Sequence, residues 1–292
     1  MTTSAATGSV SEAFARVLEE KKRAFIPFIC AGDPNLDATK KALKVLDDAG
    51  ADIIELGVPY SDPLADGPVI QASATRALAN GATLNKVIDL VREVSPTIAA
   101  PIVMFTYYNP IYQRGVDAFC RDIAAAGAKG LLVPDIPLEE TYEVSEIASK
   151  HGIELVLLST PTTPVERAKK IAMATKGFVY LVSVTGVTGM RTGVESRVEE
   201  LVAKLKKVTD KPVCVGFGIS KEEQAQQVVQ WGADGVIVGS ALVKALGEAA
   251  SPEEGLERLS ALAAELRAGS NRSGAKAAGG GGGFFSNLFG GK

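Results

Sequence analysis

The chain has 292 residues, of which 46% are hydrophobic and 22% charged, and its formal net charge is −3. A chain of this length can form two ordinary domains or one large α/β barrel. The net negative charge argues against binding to nucleic acid or to a membrane surface, because both need a basic face. No apolar run reaches the roughly 18 residues of a transmembrane helix. The single histidine, His151, argues against a histidine-based metal site and against a catalytic triad.

The two ends of the chain differ in composition from its middle. Residues 1–9 are rich in Ser, Thr and Ala and lack a secretory signal pattern, so we expect a flexible tail or the remnant of an organellar presequence. Residues 268–292 contain the glycine run 279–283 and end in a Phe/Leu cluster, which predicts a disordered tail or, alternatively, a short docking motif. Residues 10–267 are predicted to form one folded domain.

Short apolar runs recur through this domain at a spacing of about 25 residues, the length of a β/α unit. They are rich in Val, Ile and Leu and nearly continuous, which is typical of parallel strands covered on both faces. Strands are predicted in this way at residues 24–30, 52–57, 102–106, 130–133, 154–158, 178–182, 212–215 and 235–238. Eight such units in one chain predict an α/β fold, a single TIM (β/α)8 barrel, rather than an open doubly wound sheet.

Amphipathic stretches between these runs predict the outer helices. They lie at residues 36–49, 69–80, 116–126, 139–150, 165–175, 196–208, 221–230 and 252–267. An additional helix at residues 10–22 is expected to close the bottom of the barrel, and a short one at 241–246 precedes the last helix. Ser220 and Glu223 predict a capping box at the start of helix 221–230. His151 is expected to cap the C-terminus of helix 139–150.

Three cysteines, Cys30, Cys120 and Cys214, lie far apart in apolar segments. Their odd number and their surroundings predict buried free thiols in a reducing compartment rather than disulfides.

The second predicted strand runs into a loop that is crowded with acids, Glu55-Leu-Gly-Val-Pro-Tyr-Ser-Asp-Pro-Leu-Ala-Asp-Gly-Pro68. Glu55 shares the strand face of Ile53 and Gly57, which predicts an inward position near the barrel mouth. A buried carboxyl has a raised pKa and can donate and accept a proton near neutrality. A structural acid held by backbone donors is the alternative for Glu55, and a helix-entry cap is the alternative for Asp66.

Glycine pairs follow the last two predicted strands. Gly216-Phe-Gly-Ile-Ser220 follows the seventh, and Gly239-Ser240 follows the eighth and opens the short helix. Phosphate sites in such barrels use these two loops, with backbone N–H groups at a helix N-terminus binding the anion. The loop 185–190 after the sixth strand predicts either a closing lid or an ordinary surface loop.

These residues together predict a barrel enzyme that acts on a small phosphorylated substrate by acid–base catalysis with carboxylates and without a metal. The solitary histidine argues against an enediol isomerase that pairs a glutamate with a histidine. A phosphosugar isomerase on the same barrel remains an alternative from a different class of reaction.

The motifs resemble those of the tryptophan synthase alpha subunit family, in particular its plant, algal and cyanobacterial branch. The resemblance rests on the long stretch from Glu55 to Pro68, on Pro27-Phe-Ile-Cys-Ala-Gly-Asp-Pro34, on Gly186-Val-Thr-Gly189 and on the two glycine pairs, and it spans residues 12–267. It implies retro-aldol cleavage of indole-3-glycerol phosphate to indole and glyceraldehyde 3-phosphate. Glu55 would then be the general acid/base, and Asp66 would accept the indole N–H.

The resemblance implies further roles, position by position. Tyr180 matches the tyrosine beside the catalytic glutamate, and Asp62 and Pro63 match the part of the loop that faces a beta subunit. The substrate-binding positions are Phe28, Tyr107 and Phe217 at the indole, Thr188 in the mobile loop, and Gly189, Gly218, Gly239 and Ser240 at the phosphate. Cys30 departs from the family, where many relatives have Thr, and we expect only a packing change.

The implied partner is a tryptophan synthase beta subunit in an α2β2 heterotetramer, and pyridoxal phosphate is expected only in that partner. One alternative is a stand-alone indole-3-glycerol-phosphate lyase that releases free indole, and another is a non-catalytic activator of a beta subunit. The implied location is the cytoplasm, or the plastid stroma for a plant or algal source.

Overall fold

The computed structural model describes residues 8–160, 162–182, 191–216 and 218–271, with the backbone alone for residues 191–197. Eight parallel strands form a closed barrel in which each strand pairs with its sequence neighbours and β1 pairs with β8. The strands are β1 (Ala24–Cys30), β2 (Ile54–Gly57), β3 (Ile102–Phe105), β4 (Gly130–Leu132), β5 (Glu154–Ser159), β6 (Val179–Val182), β7 (Val213–Gly216) and β8 (Gly235–Val238). The predicted TIM barrel is confirmed.

Helices cover the outside of the barrel. Those in the described residues are α1 (Val10–Glu19), α2 (Leu36–Asp48), α3 (Pro68–Ala79), α4 (Leu84–Val94), α5 (Tyr108–Arg114), α6 (Val116–Ala125), α7 (Thr141–Lys150), α8 (Val165–Ala174), α9 (Arg191–Lys206), α10 (Glu222–Gln230), α11 (Ser240–Gly247) and α12 (Pro252–Asn271). Short 3-10 turns at Ser95–Thr97 and Leu138–Glu140 precede β3 and α7. No helix in these ranges is both long enough and apolar enough to cross a membrane.

The barrel has a separate core inside its strands, and α1 closes that core from below. Phe14 of α1 is buried against Phe178, with ring centroids 5.3 Å apart. The interior cluster comprises Val10, Ala13, Phe14, Val17, Ala24, Ile26, Ile53, Val103, Leu132, Val156, Phe178, Cys214 and Ile237. The predicted plug is confirmed. With the N-terminal ends of the strands sealed, the site lies at the other end, which we call the mouth.

Several local predictions were wrong. Helices α4 and α5 were not predicted, and α12 continues past Arg267 to Asn271. Gly269 and Ser270 are buried in α12, and a Cβ at Gly269 would overlap the carbonyl of Glu222, so packing against α10 maintains the helix where composition predicts an end.

The predicted capping box at Ser220 does not form. Lys221 is the N-cap of α10 and makes no side-chain cap bond. Ser220 instead binds Gln224, whose Oε1 accepts from the Ser220 backbone N–H at 2.8 Å and lies 3.2 Å from Ser220 Oγ. His151 does cap the C-terminus of α7, and the three cysteines are buried and free, as predicted.

Candidate active site

Glu55 is the deepest carboxyl group near the mouth. It lies in the middle of β2, where Phe28 of β1 and Val103 of β3 are its register partners. Its exposed fraction is 0%, and neither carboxylate oxygen has a hydrogen-bond partner among the described residues. Burial raises the pKa of Glu55 to about 8, because the charged form loses its hydration. The backbone-held structural acid considered as an alternative is therefore not what the geometry shows.

Asp66 lies at the end of the loop after β2, immediately before the N-terminus of α3. Its Oδ2 accepts a hydrogen bond of 3.0 Å from the Tyr107 hydroxyl, and that hydroxyl also accepts from the Ala65 N–H at 3.0 Å. Burial raises the pKa of Asp66 to about 6, while the bond from Tyr107 acts in the opposite direction. Gly67, rather than Asp66, is the N-cap of α3, so Asp66 keeps its second oxygen for another partner.

Tyr180 of β6 lies near both carboxyl groups and lines both cavities. Burial raises the pKa of Tyr180, and the charges of Glu55 and Asp66 add to that effect. Its ring packs on the backbone of β7, since a Cβ at Gly216 would lie 2.8 Å from the Tyr180 hydroxyl oxygen. A side chain at position 216 would therefore move Tyr180 out of this place.

A cavity of about 740 Å³ opens at the mouth between the loops that follow the strands. Phe28, which meets Phe105 edge-on at 5.3 Å, forms part of its floor. Asp66 and Tyr180 line it as well. Glu55 is not itself in the lining, but its strand partner Phe28 is. This volume and the mixture of aromatic and carboxyl groups suit a small ligand with an aromatic ring.

A second cavity of about 330 Å³ adjoins the first and shares Ile70, Tyr180, Gly218, Gly239 and Ser240 with it. Gly218 has a positive φ of 42°, and Gly239 is the N-cap of α11. The start of α11 thus faces this cavity with free backbone N–H groups, which favours an anion there. Because the cavities are joined, one molecule with an aromatic end and an anionic end can occupy both.

The structure brings most of the predicted residues together, but not all can be placed. Thr188, Gly189 and Phe217, together with the predicted lid at 185–190, lie outside the described residues. Asp62 and Pro63 lie on the rim of the mouth, where Asp62 is exposed and Pro63 half-buried. Cys30 packs with Ala74, Ala77 and Ala82 next to α3.

Sequence reasoning missed several residues around the site. Val69 and Ile70 at the start of α3 line the smaller cavity, and Lys244 lines it one turn along α11 from Ser240. Tyr60 stacks on Tyr107 with centroids 5.1 Å apart. The i, i+4 spacing of Ser240 and Lys244 was a usable signal, whereas the stacking of two loop residues was not.

Fold and site together define a class: a TIM-barrel enzyme with acid–base carboxyl groups that acts on a small aromatic molecule bearing an anionic group. Within the described ranges, no group of three or more His, Cys, Asp or Glu residues is arranged to hold a metal ion.

Comparisons with known proteins specify that class. The family model described as "Tryptophan synthase alpha chain" matches residues 14–271. The tryptophan synthase alpha chain of a Picosynechococcus strain is 60% identical over 248 residues, which are 85% of this chain and 94% of the relative. That of Arabidopsis thaliana is 58% identical over 257 residues, 88% of this chain and 94% of the relative. A crystal structure of tryptophan synthase from M. tuberculosis matches with a TM-score of 0.80 at 38% identity, covering 89% of this chain and 98% of the other.

The chain therefore belongs to the tryptophan synthase alpha chain family. It is a carbon–carbon lyase of tryptophan biosynthesis that cleaves indole-3-glycerol phosphate, the alpha reaction. The resemblance stated from its motifs, including the cyanobacterial and plant branch, is confirmed.

Proposed function

We propose that Glu55 is the proton carrier of the cleavage. Indole is released as a carbon leaving group only after its ring is protonated at C3. Glu55 in its neutral form donates that proton, and the resulting carboxylate accepts the proton of the adjacent side-chain hydroxyl as the carbon–carbon bond breaks. Glyceraldehyde 3-phosphate and indole result, and Glu55 regains its proton. The observation that carries this proposal is a fully buried carboxyl group, without a partner in the described residues, whose pKa is raised to about 8.

Asp66 stabilises the cationic ring in this scheme. Protonation at C3 leaves positive charge on the indole nitrogen, and an ionised Asp66 accepts the N–H and lies against that charge. The raised pKa of about 6 still leaves Asp66 mostly ionised at neutral pH. Tyr107 holds one carboxylate oxygen at 3.0 Å and thereby directs the other toward the ring. Tyr180 fixes the space between the two acids.

The two joined cavities support a single binding mode. The indole lies in the larger one against Phe28, and the phosphate lies in the smaller one at Gly218, Gly239 and Ser240. Tyr107 is buried outside the lining of the larger cavity and acts through its bond to Asp66. Backbone N–H groups at the start of α11 bind the anion, which explains how an acidic chain holds a phosphate. Thr188, Gly189 and Phe217 are assigned to the same site on the resemblance alone.

We also infer a beta subunit as partner, in an α2β2 assembly, with pyridoxal phosphate held by that subunit. The supporting observation is an exposed apolar side chain on the rim: Leu64 is 84% exposed, next to Asp62 and Pro63. A partner that covers this rim would bury the Leu64 side chain and gain binding energy from it. A plastid or cytoplasmic location accompanies this proposal, since relatives come from a plant and from cyanobacteria.

The test of the catalytic roles is Glu55→Gln, which keeps the shape of the side chain and removes its proton chemistry. We expect kcat for indole release to fall about a thousandfold or more, with substrate binding retained by calorimetry. Near-full turnover in this variant would refute the role of Glu55. Measuring kcat with and without a beta subunit separates the two remaining candidates, since a stand-alone lyase is fully active by itself.

A further inference from the structure

A partly buried ion pair with no part in the proposed chemistry lies behind the site. Asp33, in the loop after β1, is 2% exposed. Its carboxylate accepts two bonds from Arg76, at 2.8 Å from Nε and 2.7 Å from Nη2, and a third of 2.5 Å from the Ser73 hydroxyl. Both donors belong to α3. We call Asp33, Ser73 and Arg76 the Asp33 clamp.

The clamp also contacts the helix that opens at the smaller cavity. Gly247 is the last residue of α11, and a Cβ there would overlap Asp33 Oδ2 and lie 2.6 Å from Arg76 Nη2. Helices α3 and α11 pack against each other, so Asp33 sits where the loop after β1 meets both of them. The absence of a side chain at Gly247 lets α11 approach the ion pair this closely.

Both helices begin at the ligand cavities. Val69 and Ile70 at the start of α3, and Ser240 and Ala241 at the start of α11, line the same 330 Å³ cavity. Asp66 directly precedes Gly67, the N-cap of α3. The clamp therefore joins the element that follows Asp66 to the element that begins the phosphate site.

The guanidinium–carboxylate pair of the clamp is suited to hold the loop after β1 and α3 at a fixed distance. A bidentate guanidinium–carboxylate pair defines both distance and orientation, which a lysine at the same place does not. Exposed single-point pairs hold geometry poorly and contribute little. Three donors on one buried carboxylate leave this group a single arrangement.

We propose that the Asp33 clamp is a positioning device for the cleavage: it holds Asp66 and the N-terminus of α11 at the separation that one substrate molecule spans. This rests on the proposed roles of Asp66 and of the phosphate site. None of the three clamp residues lines either cavity. Loosening the clamp leaves each subsite intact but misaligns the two, and a misplacement of about 1 Å in such a site costs on the order of a hundredfold in rate.

The test compares the whole substrate with its two halves. Arg76→Lys keeps the charge and removes the fork. For this variant we expect kcat/KM for indole-3-glycerol phosphate to fall about tenfold or more. Inhibition by inorganic phosphate and inhibition by indole should each stay within about twofold of wild type, because each half still finds its own subsite.

Arg114→Lys is the matched control. Arg114 likewise donates from Nε and Nη2 to one carboxylate, at 2.8 Å and 2.6 Å, although both bonds go to Asp122 Oδ2. Its side chain is 29% exposed against 35% for Arg76. It lies on α5 and does not line the site. We expect it to lower Tm comparably and to leave kcat/KM within about twofold of wild type, because Arg114 lines neither cavity.

Gly247→Ala disturbs the clamp from the side of α11 and serves if Arg76→Lys does not fold. It should reproduce the selective loss on the whole substrate. The inference is overturned if the clamp variants change Tm but not kcat/KM. It is also overturned if inhibition by phosphate and by indole weakens by the same factor as kcat/KM for the whole substrate. A wild-type enzyme that phosphate does not inhibit would instead refute the proposed phosphate site.

Discussion

The carboxyl group of Glu55 is completely buried, and its pKa is raised from 4.5 to about 8. Below about pH 4.5 it is protonated in both the folded and the unfolded chain, so it does not alter the free energy of unfolding. Between about pH 4.5 and 8 only the unfolded chain ionises, which favours unfolding progressively as pH rises. The buried carboxyl group of Glu55 therefore lowers the free energy of unfolding throughout the physiological pH range.

Glu55→Gln should remove this destabilisation. We expect the variant to be more stable than wild type at pH 7 by about 3 kcal/mol, because each pKa unit corresponds to about 1.4 kcal/mol. Urea unfolding at pH 5 and at pH 8 measures the effect, and the gap should widen with pH. Glu139→Gln is the control: its carboxylate pairs with Arg167, which lowers the pKa of Glu139, so no gain with pH is expected. Equal gaps at both pH values would contradict the assignment.

In the proposed mechanism, Asp66 and Glu55 together set the pH range of activity. That mechanism needs Asp66 ionised and Glu55 protonated, and burial raises their pKa values to about 6 and about 8. We therefore expect kcat/KM to fall below about pH 6 and above about pH 8. Tyr107→Phe removes a bond that lowers the pKa of Asp66, and should therefore move the acid limb to higher pH. A movement of one unit lowers activity at pH 6 about fivefold.

The control for this profile is Tyr60→Phe. Tyr60 stacks on Tyr107, but its hydroxyl accepts from Asn109 and does not bind Asp66. The acid limb of the kcat/KM profile of Tyr60→Phe should coincide with that of wild type. An unmoved limb in Tyr107→Phe would show that Asp66 does not govern it.

At the scale of single residues, the sequence singled out Glu55 and Asp66 but not the residues that contact them. An ionisable residue inside an apolar run is unusual enough to mark Glu55 without any structure. The bond between Tyr107 and Asp66 joins residues 41 positions apart, and no local pattern reports it. The Asp33 clamp is equally invisible, because its members lie on a loop and a helix that only the barrel brings together.

Among the elements, β6 and β7 pair along their backbones and also meet where the Tyr180 ring lies against Gly216. Gly216→Ala should displace Tyr180, since the new Cβ would lie 2.8 Å from the hydroxyl oxygen and 3.0 Å from Cε1. Gly216 does not have a positive φ, so alanine introduces no backbone strain there. We expect kcat/KM to fall about tenfold. Tyr180→Phe removes the atom nearest the clash. In the double variant Gly216→Ala/Tyr180→Phe, kcat/KM should therefore fall by less than the product of the two single reductions. Wild-type kinetics in Gly216→Ala would refute this contact.

Element positions were predictable where local pattern and tertiary packing agree. Buried parallel strands are marked by continuous apolar runs, and their centres were placed correctly. The end of α12 was missed because Gly269 packs against α10 instead of ending the helix. The capping of α10 was missed because Ser220 pairs locally with Gln224 instead of capping the first turn. Helix α5, with Pro110 in its first turn, begins only two residues after β3 ends, which leaves no loop signal between the two elements.

Over the whole molecule, the barrel separates stability from function. The bottom is sealed by α1 and by a continuous apolar core, while the mouth holds buried acids and glycine-lined cavities. This division is general for the fold, because loops after the strands vary independently of the core beneath them. Among the residues that the structure describes, the two most exposed large apolar side chains lie at opposite ends of the barrel, Leu64 on the rim of the mouth and Met173 near the bottom.

Those two side chains allow a controlled test of the partner surface. If a beta subunit covers the rim, Leu64→Ser should weaken association about tenfold or more, because burying a leucine contributes about 1.5–3 kcal/mol. The basal cleavage rate of the isolated chain should stay within about twofold. Titration of the variant with a beta subunit, followed by calorimetry and by stimulation of kcat, measures both quantities.

Met173→Ser is the control, since Met173 is 77% exposed against 84% for Leu64 but lies at the other end of the barrel, beside Phe14 and Leu18 of α1. It should leave the affinity for the beta subunit unchanged. If both variants bind equally well, the rim is not the contact, and if both bind equally weakly, the effect is not specific to the mouth. A selective loss at Leu64 would place the partner directly over the cavities from which indole must leave.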